Sequence, residues 1–185
     1  MPTDRRTLLA DAAIGVLADS GMRGLTHRAV DRAADLPSGT TSAYYRTRQA
    51  LLTALVGRLV ALDQAELQEM GGRTPAPRTP GELTAGLVLF TELRLAGAGR
   101  RRSLARYACV IESVRHPELR EILVTRENVA RRAVQDFLAA QGVEDAAGRT
   151  VTLLTCVDGL VFDRLVNGGG VSVQEIGGLV SAALR

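Results

Sequence analysis

A run of small, hydroxylated residues lies between positions 38 and 44, and its chemistry suits an anion. Ser38 and Thr40 carry hydroxyls beside a predicted helix N-terminus, where backbone N–H groups already favour negative charge. Gly39 has no Cβ to obstruct a phosphate. The run therefore predicts a surface that approaches a nucleic-acid backbone closely.

The same run also offers groups that suit contacts with bases. Thr41 and Ala43 present methyl groups that match the methyl of thymine, and Tyr44 offers a phenol to a phosphate or a base. With six aromatic residues and no tryptophan in the chain, a base-stacking platform for single strands is not expected. Double-stranded DNA is the nucleic acid that these residues favour.

Three short helices must position this run. Apolar residues recur at helical spacing from Leu8 to Leu17, and Thr26 is typical of an N-cap for a second helix. Pro37 ends that helix, and a third follows from Ser38. The tight connection predicts a helix-turn-helix, whose second helix enters the major groove. The polar residues of the second helix are expected outside, namely Arg28, Asp31, Arg32 and Asp35.

Three stretches of this segment resemble the DNA-binding part of the TetR family of transcriptional repressors. They are Leu9-x-x-Ala12-Ala13, Gly21-x-x-Gly24-Leu25-Thr26-x-x-x-Val30-x-x-Ala33, and the continuous string from Gly39 to Leu52. The resemblance implies an all-α fold with an N-terminal helix-turn-helix domain at 1–47. A larger helical domain for ligand binding and dimerisation is implied at 48–185. Periodicity predicts about nine helices in total, with a linker from Gly71 to Pro80. Gly97 and Gly99 end the fifth of these helices, the sixth begins near residue 101, and the seventh runs from Pro117 to Gly142.

The resemblance also implies which residues meet DNA: Thr26, Arg28, Pro37, Ser38, Gly39, Thr40, Ser42, Ala43, Tyr44 and Arg48. Thr26 would cap its helix and contact a phosphate, and Arg48 stands where the family has a lysine that grips one. Tyr45 matches a position that packs inward. The sequence departs from the family pattern at three positions, with Asp35 for a usual glycine, Pro37 for a frequent serine and Ser42 for a common tyrosine.

Two further sets of basic residues leave alternatives open. His27 is either a solvated residue at a helix start or a phosphate contact, and Arg5 and Arg6 are either a solvated face or an arm that grips the DNA backbone. All 23 basic residues other than histidine are arginine. We expect the cluster at positions 100–102 to add to the positive surface on the DNA side.

The C-terminal part of the sequence predicts a homodimer. The helix expected at about 145–167 is apolar almost all round, so it needs cover from the monomer core and from a second subunit. The interface residues expected on the last two helices are Val157, Leu160, Val161, Ile176, Leu179 and Val180. The alternative is a last helix that only closes the monomer core.

A small-molecule site is expected in the same domain, since the family binds effectors there. The candidate lining residues are Phe90, Tyr107, Ile111, Arg126, Phe137, Asp158 and Phe162. Asp158 lies in an apolar stretch and should be paired or protonated if it is buried. Arg126 and Asp158 either face a ligand cavity, form a structural ion pair or lie exposed on a helix edge.

Other function classes find no support in the sequence. No metal-ligand spacing, catalytic triad or phosphate loop appears, so neither an enzyme nor a cofactor is expected. Cys109 and Cys156 are expected in the core, without a disulfide, which suits a cytoplasmic location. No apolar run is long enough to predict a membrane span.

The function predicted from the sequence is therefore a dimeric transcriptional regulator that responds to a ligand. It would repress from a palindromic operator and leave it when a small molecule binds. The alternative is a helical ligand-binding or adaptor protein that has lost specific DNA binding.

Overall fold

The computed structural model describes residues 4–73, 75–123 and 129–185, and these residues form ten α-helices and no strand. The helices are α1 (Arg5–Gly24), α2 (His27–Ala33), α3 (Thr40–Tyr44), α4 (Arg48–Arg73), α5 (Pro80–Leu95), α6 (Gly97–Ser113), α7 (Pro117–Leu123), α8 (Val129–Ala140), α9 (Ala146–Asn167) and α10 (Val173–Ala183). The all-α class is confirmed. The count exceeds nine because the helix predicted between Pro117 and Gly142 corresponds to both α7 and α8.

Side-chain caps explain why five of these helices begin where they do. In each, an oxygen of the residue before the helix accepts a hydrogen bond from the backbone N–H three residues on, which satisfies a donor that the helix leaves open. The capping residues are Thr26 for α2, Thr47 for α4, Thr79 for α5, Asp145 for α9 and Ser172 for α10.

The corner between α5 and α6 depends on a glycine. A Cβ built on Gly99 would lie 1.7 Å from the carbonyl oxygen of Leu93, so any larger residue would force the backbone apart. The predicted break between the two helices is therefore observed, although α6 begins at Gly97 rather than near residue 101.

The chain divides into two compact units. Unit 1 comprises Met1–Gln64 and Arg101–Thr125, and unit 2 comprises Ala65–Arg100 and Arg126–Arg185. The first part of α4 and most of α6 thus pack with the N-terminal helices. The predicted domains at 1–47 and 48–185 describe a division of function, and that division stays a prediction.

Unit 1 packs α1, α2, α4, α6 and α7 around one hydrophobic core. Its fully buried side chains include Leu9, Leu17, Val30, Leu55, Leu59 and Leu119. Three ion pairs surround this core and join α1 to α4, α4 to α6 and α1 to α6: Arg58 with Asp11 at 2.7 Å, Arg106 with Asp63 at 2.7 Å, and Arg101 with Asp19. The first helix is therefore fixed to two other helices of its unit.

Unit 2 packs α5 and α8 against α9 and α10. Its core contains Leu83, Leu87, Val134, Phe137, Leu138, Leu153, Val157, Ile176 and Val180. The start of α10 is fixed by a capping box, in which Ser172 and Glu175 bond each other's backbone N–H. The hydrogen bonds from Ser172 lower the pKa of the Glu175 carboxyl, and Arg164 beside it adds to this effect.

Candidate nucleic-acid interface

The turn between α2 and α3 brings two special backbone conformations together. Asp35 has φ 53° and Gly39 has φ 94°, both in the left-handed region that favours glycine. Asp35 is the residue that stands where the related family has glycine, so the structure gives a physical reason for the family's choice. Hydrogen bonds from the N–H of Leu36 to Asp31 O and from Thr40 to Pro37 O close the turn.

A buried carboxylate holds the start of α3. Asp31 is only 2% exposed, and its Oδ2 accepts the N–H of Gly39 at 2.8 Å. Its Oδ1 accepts both the N–H of Thr41 at 2.7 Å and the Thr41 hydroxyl at 2.5 Å. Two backbone donors at the N-terminal end of α3, those of Gly39 and Thr41, are thus satisfied from α2. The prediction that Asp31 lies outside is wrong, because these donors solvate the carboxylate in place of water.

The electrostatics of this contact favour the ionised carboxylate. Burial raises the pKa of Asp31, but the hydrogen bonds from Thr41 and Gly39 outweigh it, and the pKa lies below its ordinary value. Thr41 is fully buried, so the prediction that its methyl contacts thymine is also wrong. Its hydroxyl faces the carboxylate, and Ala43 beside it stays exposed.

Two further hydrogen bonds fix the end of α3. The Nε2 of His27 lies 2.7 Å from the carbonyl oxygen of Tyr45, so the partly buried imidazole links the first residue of α2 to the residue after α3. Tyr45 is 7% exposed, and its phenol donates to the carbonyl oxygen of Arg6 at 3.2 Å. The inward packing that the resemblance implies for Tyr45 is observed, whereas His27 is not the solvated residue that the sequence allows.

The side chains predicted to meet DNA lie mostly at the surface of unit 1. Nine are exposed, namely Thr26, Arg28, Pro37, Ser38, Gly39, Ser42, Ala43, Tyr44 and Arg48, and Thr40 is half-buried. Thr26 caps α2 as expected, while the Thr40 hydroxyl donates to Pro37 O at 2.6 Å. These polar and small side chains belong to α2, α3, their flanking residues and the start of α4, and their contacts with DNA stay a prediction.

Arg48 makes contacts that the sequence did not predict. Its guanidinium donates to the carbonyl oxygens of Leu25 at 2.7 Å and Met22 at 2.6 Å, which closes the end of α1. The side chain remains exposed, and a guanidinium has five N–H donors. Arg48 can therefore hold the helix end and still reach a phosphate.

The arginine cluster near residue 101 is partly neutralised. Arg101 forms an ion pair with Asp19 of α1, so its charge is balanced within unit 1. Arg100 is exposed, and Arg102 is half-buried. A contribution of these residues to a DNA-facing surface stays a prediction.

The candidate ligand residues do not surround one cavity within a unit. Tyr107 and Ile111 belong to unit 1, and the others that are described belong to unit 2. There, Phe137 is buried in the core, whereas Asp158 and Phe162 are exposed on α9. Asp158 is thus an exposed residue of the helix, and Arg126 lies outside the described residues.

Phe90, the remaining candidate for the ligand site, contacts the buried guanidinium of Arg94. Phe90 is half-buried, and its ring lies 4.9 Å below the guanidinium carbon of Arg94, which is 8% exposed. A cation on an aromatic face gains more when it is removed from water. The spacing of four residues places Phe90 and Arg94 on one face of α5, but it does not predict that the guanidinium is buried.

The structure corrects the residues expected at a subunit interface. Val157, Val161, Ile176 and Val180 are at most 2% exposed, because the monomer core covers them, while Leu160 and Leu179 are half-buried. Other apolar side chains of the last two helices remain exposed: Val151, Phe162, Val166 and Val173. Subunit contacts through α9 and α10 would therefore involve these exposed residues rather than the three buried valines and the buried Ile176.

The two cysteines differ in environment. Cys109 is buried as expected, and burial raises the pKa of its thiol to about 12. Cys156 is exposed, so the prediction that it lies in the core is wrong.

In the described part of the chain, no three His, Cys, Asp or Glu side chains come together as metal ligands would. None of the helices described combines the length and apolar character needed to cross a bilayer.

Comparison with known proteins places this geometry among transcriptional regulators. The model of the tetracyclin repressor-like C-terminal domain matches residues 78–185, which is more than half of the chain. No curated protein is similar enough in sequence to count as a match.

Solved structures of similar fold cover nearly the whole chain. A transcriptional regulator from Rhodococcus sp. Rha1 (RHA1_ro04179) has a TM-score of 0.75 at 23% identity, covering 97% of this chain and 94% of its own. A TetR family member from Streptomyces coelicolor A3 (SCO1917) has a TM-score of 0.72 at 23% identity, with 98% and 99% covered. The multidrug binding protein EbrR, complexed with proflavin, has a TM-score of 0.63 at 25% identity, with 97% and 99% covered.

Proposed function

Because the chain belongs to the TetR family of transcriptional regulators, we propose that it is a dimeric repressor that a small molecule releases from DNA. The observation that carries the proposal is the exposed helix α3, held at its start by the buried carboxylate of Asp31. A recognition helix must keep one orientation to read a groove, and this arrangement supplies it.

The chemistry of the exposed face supports binding to duplex DNA. Ser38, Gly39 and Ala43 let the backbone of α3 approach closely, while Arg28 and Arg48 bring positive charge to its edges. Contacts of this kind to phosphates position a protein, and side chains of the helix then select the sequence. We assign the selection to Ser42 and Tyr44, because both are exposed on α3.

A dimer would let two such helices read one site together. The exposed apolar residues of α9 and α10 offer the surface: Phe162 is 46% exposed, Val166 is 66% exposed and Val173 is 60% exposed. Burial of these residues between two copies removes apolar area from water. A two-fold dimer would present its recognition helices about 34–36 Å apart, to a palindromic operator.

The effector would act by favouring one of two conformations. The multidrug binding protein EbrR has been crystallised in complex with ethidium and with proflavin, and a small-molecule effector is proposed for this chain. The effector changes the population of the DNA-binding state only by its difference in affinity for the two states. The site of action is DNA, so the proposal includes a cytoplasmic location.

Binding to DNA is the direct test of this function. The wild-type protein would be titrated, by fluorescence anisotropy over a salt series, against the DNA upstream of its own coding sequence and against a scrambled duplex of equal length. We expect selective binding, with an affinity that falls steeply as salt rises. Tyr44→Ala should weaken the selective binding, whereas Val110→Ala, an exposed residue of α6, should not.

The second candidate, an adaptor that has lost DNA binding, is favoured only by the departures from the family pattern at Asp35 and Ser42. The same titration separates the two functions. Equal affinity for the upstream and scrambled duplexes at low salt would contradict the repressor and support the adaptor.

A further inference from the structure

The first turn of α1 contacts the recognition helix through one arginine. The guanidinium carbon of Arg6 lies 5.6 Å from the centre of the Tyr44 ring and 5.7 Å from that of the Tyr45 ring. The backbone is fixed as well, because the Tyr45 phenol donates to the carbonyl oxygen of Arg6. Both the main chain and the cation of this residue are therefore positioned against α3.

Arg6 differs from its neighbour Arg5 in the contacts of its side chain. Both residues are exposed, but the contacts of the Arg6 side chain within the described residues are the two aromatic rings. An aromatic face holds a guanidinium without neutralising its charge, and the N–H donors at its edge stay available. The cation is thus kept beside Tyr44, a residue of the exposed face, with its charge uncompensated by a carboxylate of the described chain.

We propose that Arg6 is a DNA-backbone contact, positioned by stacking on Tyr44, that grips the phosphate beside the groove which α3 enters. The inference rests on the proposed function, because it assumes that α3 meets duplex DNA. A guanidinium is the side chain best suited to a phosphate, since its planar donors match two phosphate oxygens. Tyr44 then has two roles, as a residue of the recognition helix and as the platform for this cation.

The salt dependence of binding measures such a contact. Each phosphate contact contributes about 0.9 to the slope of log affinity against log salt, and a bound dimer would make this contact twice, so the slope of Arg6→Gln should be shallower by about 1.8. Between about 50 and 200 mM salt, the wild type should then lose about 12-fold more affinity than the variant. The matched control is Arg185→Gln, which removes the same charge from an exposed residue of unit 2 and should leave the slope unchanged.

A double-mutant cycle tests the role of the tyrosine. Tyr44→Leu removes one of the two aromatic rings that Arg6 contacts, and in that background the effect of Arg6→Gln on affinity should shrink by about two- to fivefold for each subunit of the dimer, the range of an exposed cation–π contact. Tyr44→Phe keeps the face and should retain the full effect of Arg6→Gln. Independent, additive effects of the two substitutions would overturn the positioning role.

The outcomes distinguish this inference from the proposed function. Selective binding by the wild type, with an unchanged slope in Arg6→Gln, would refute the contact and leave the repressor intact. Absence of selective binding by the wild type would refute the repressor itself. The unfolding midpoint of Arg6→Gln should stay close to that of the wild type, since the hydrogen bond from Tyr45 is to the backbone and only an exposed cation–π contact is lost.

Discussion

Asp31→Asn is the substitution that examines most closely how the recognition helix is held. The carboxylate has two oxygens that accept three hydrogen bonds, from Gly39 on one side and from Thr41 on the other. An amide has one oxygen and one NH₂ group. Whichever way the amide turns, its NH₂ group faces a backbone N–H, so at least one backbone donor that the carboxylate satisfies is left without an acceptor.

The expected loss of stability follows from the number of hydrogen bonds that the amide cannot accept. The amide loses one charge-assisted hydrogen bond, and a backbone N–H of Gly39 or Thr41 is left without its acceptor, which together cost about 2–3 kcal/mol. For a chain of this length, such a loss lowers the melting temperature by about 4–12 °C. Because the lost bond lies at the start of α3, we expect DNA affinity to fall at least tenfold, even well below the melting temperature.

The pH dependence gives the same prediction a second readout. The folded-state pKa of Asp31 is lowered, so its contribution to stability is fully present above the unfolded value near 3.9. That contribution is lost as the pH falls through the folded-state pKa. The difference in unfolding free energy between wild type and Asp31→Asn should therefore be constant above about pH 5 and should shrink in more acidic solution.

Urea unfolding, monitored by circular dichroism over that pH range, is the assay. The matched control is Asp35→Asn, which makes the same chemical change at an exposed residue of the same turn. It should alter stability by less than about 0.5 kcal/mol, since asparagine also tolerates the left-handed region. Equal effects of the two substitutions would refute the reasoning about Asp31.

Three further predictions concern residues elsewhere in the fold. Asp35→Gly should stabilise the protein by about 0.5–1 kcal/mol in urea unfolding, because φ 53° strains any residue with a Cβ; a loss of stability would contradict this. Val166→Glu should convert the proposed dimer to a monomer in light scattering, whereas Val114→Glu, at a still more exposed valine in the turn after α6, should not. In a Cys156→Ser background, iodoacetamide at pH 8 should modify Cys109 only after urea is added, because the thiol is buried and its pKa is about 12; rapid modification of the folded protein would disprove the burial.

Much of the fold could be predicted from the sequence because its signals are local. Thr26 predicts the start of α2 because it is a typical N-cap residue, and the periodic apolar residues of α1 predict its buried face. The string from Gly39 to Leu52 carries the family resemblance. These features depend on neighbours within one or two turns. The linker near residue 75 and the glycine corner before α6 are predictable for the same reason.

The features that the sequence did not reveal depend on contacts across longer distances. Its charge predicts that Asp31 lies at the surface, and its burial is favourable only because Gly39 and Thr41, eight and ten residues later, donate hydrogen bonds to it. The apolar character of α9 does not say which face the monomer covers, so Val157 and Val161 were expected at an interface that their own core occupies. The stacking of Arg6 on Tyr44 likewise arises from packing between the first and third helices.

Footprinting of the protein on the DNA upstream of its own coding sequence tests the central claim most directly. A dimer that reads DNA through two copies of α3 should protect two symmetric half-sites in adjacent major grooves, with centres about one helical turn apart. Tyr44→Ala should abolish both protected regions at the same protein concentration. Protection without symmetry, or protection that does not depend on Tyr44, would contradict the claim that α3 is the reading element.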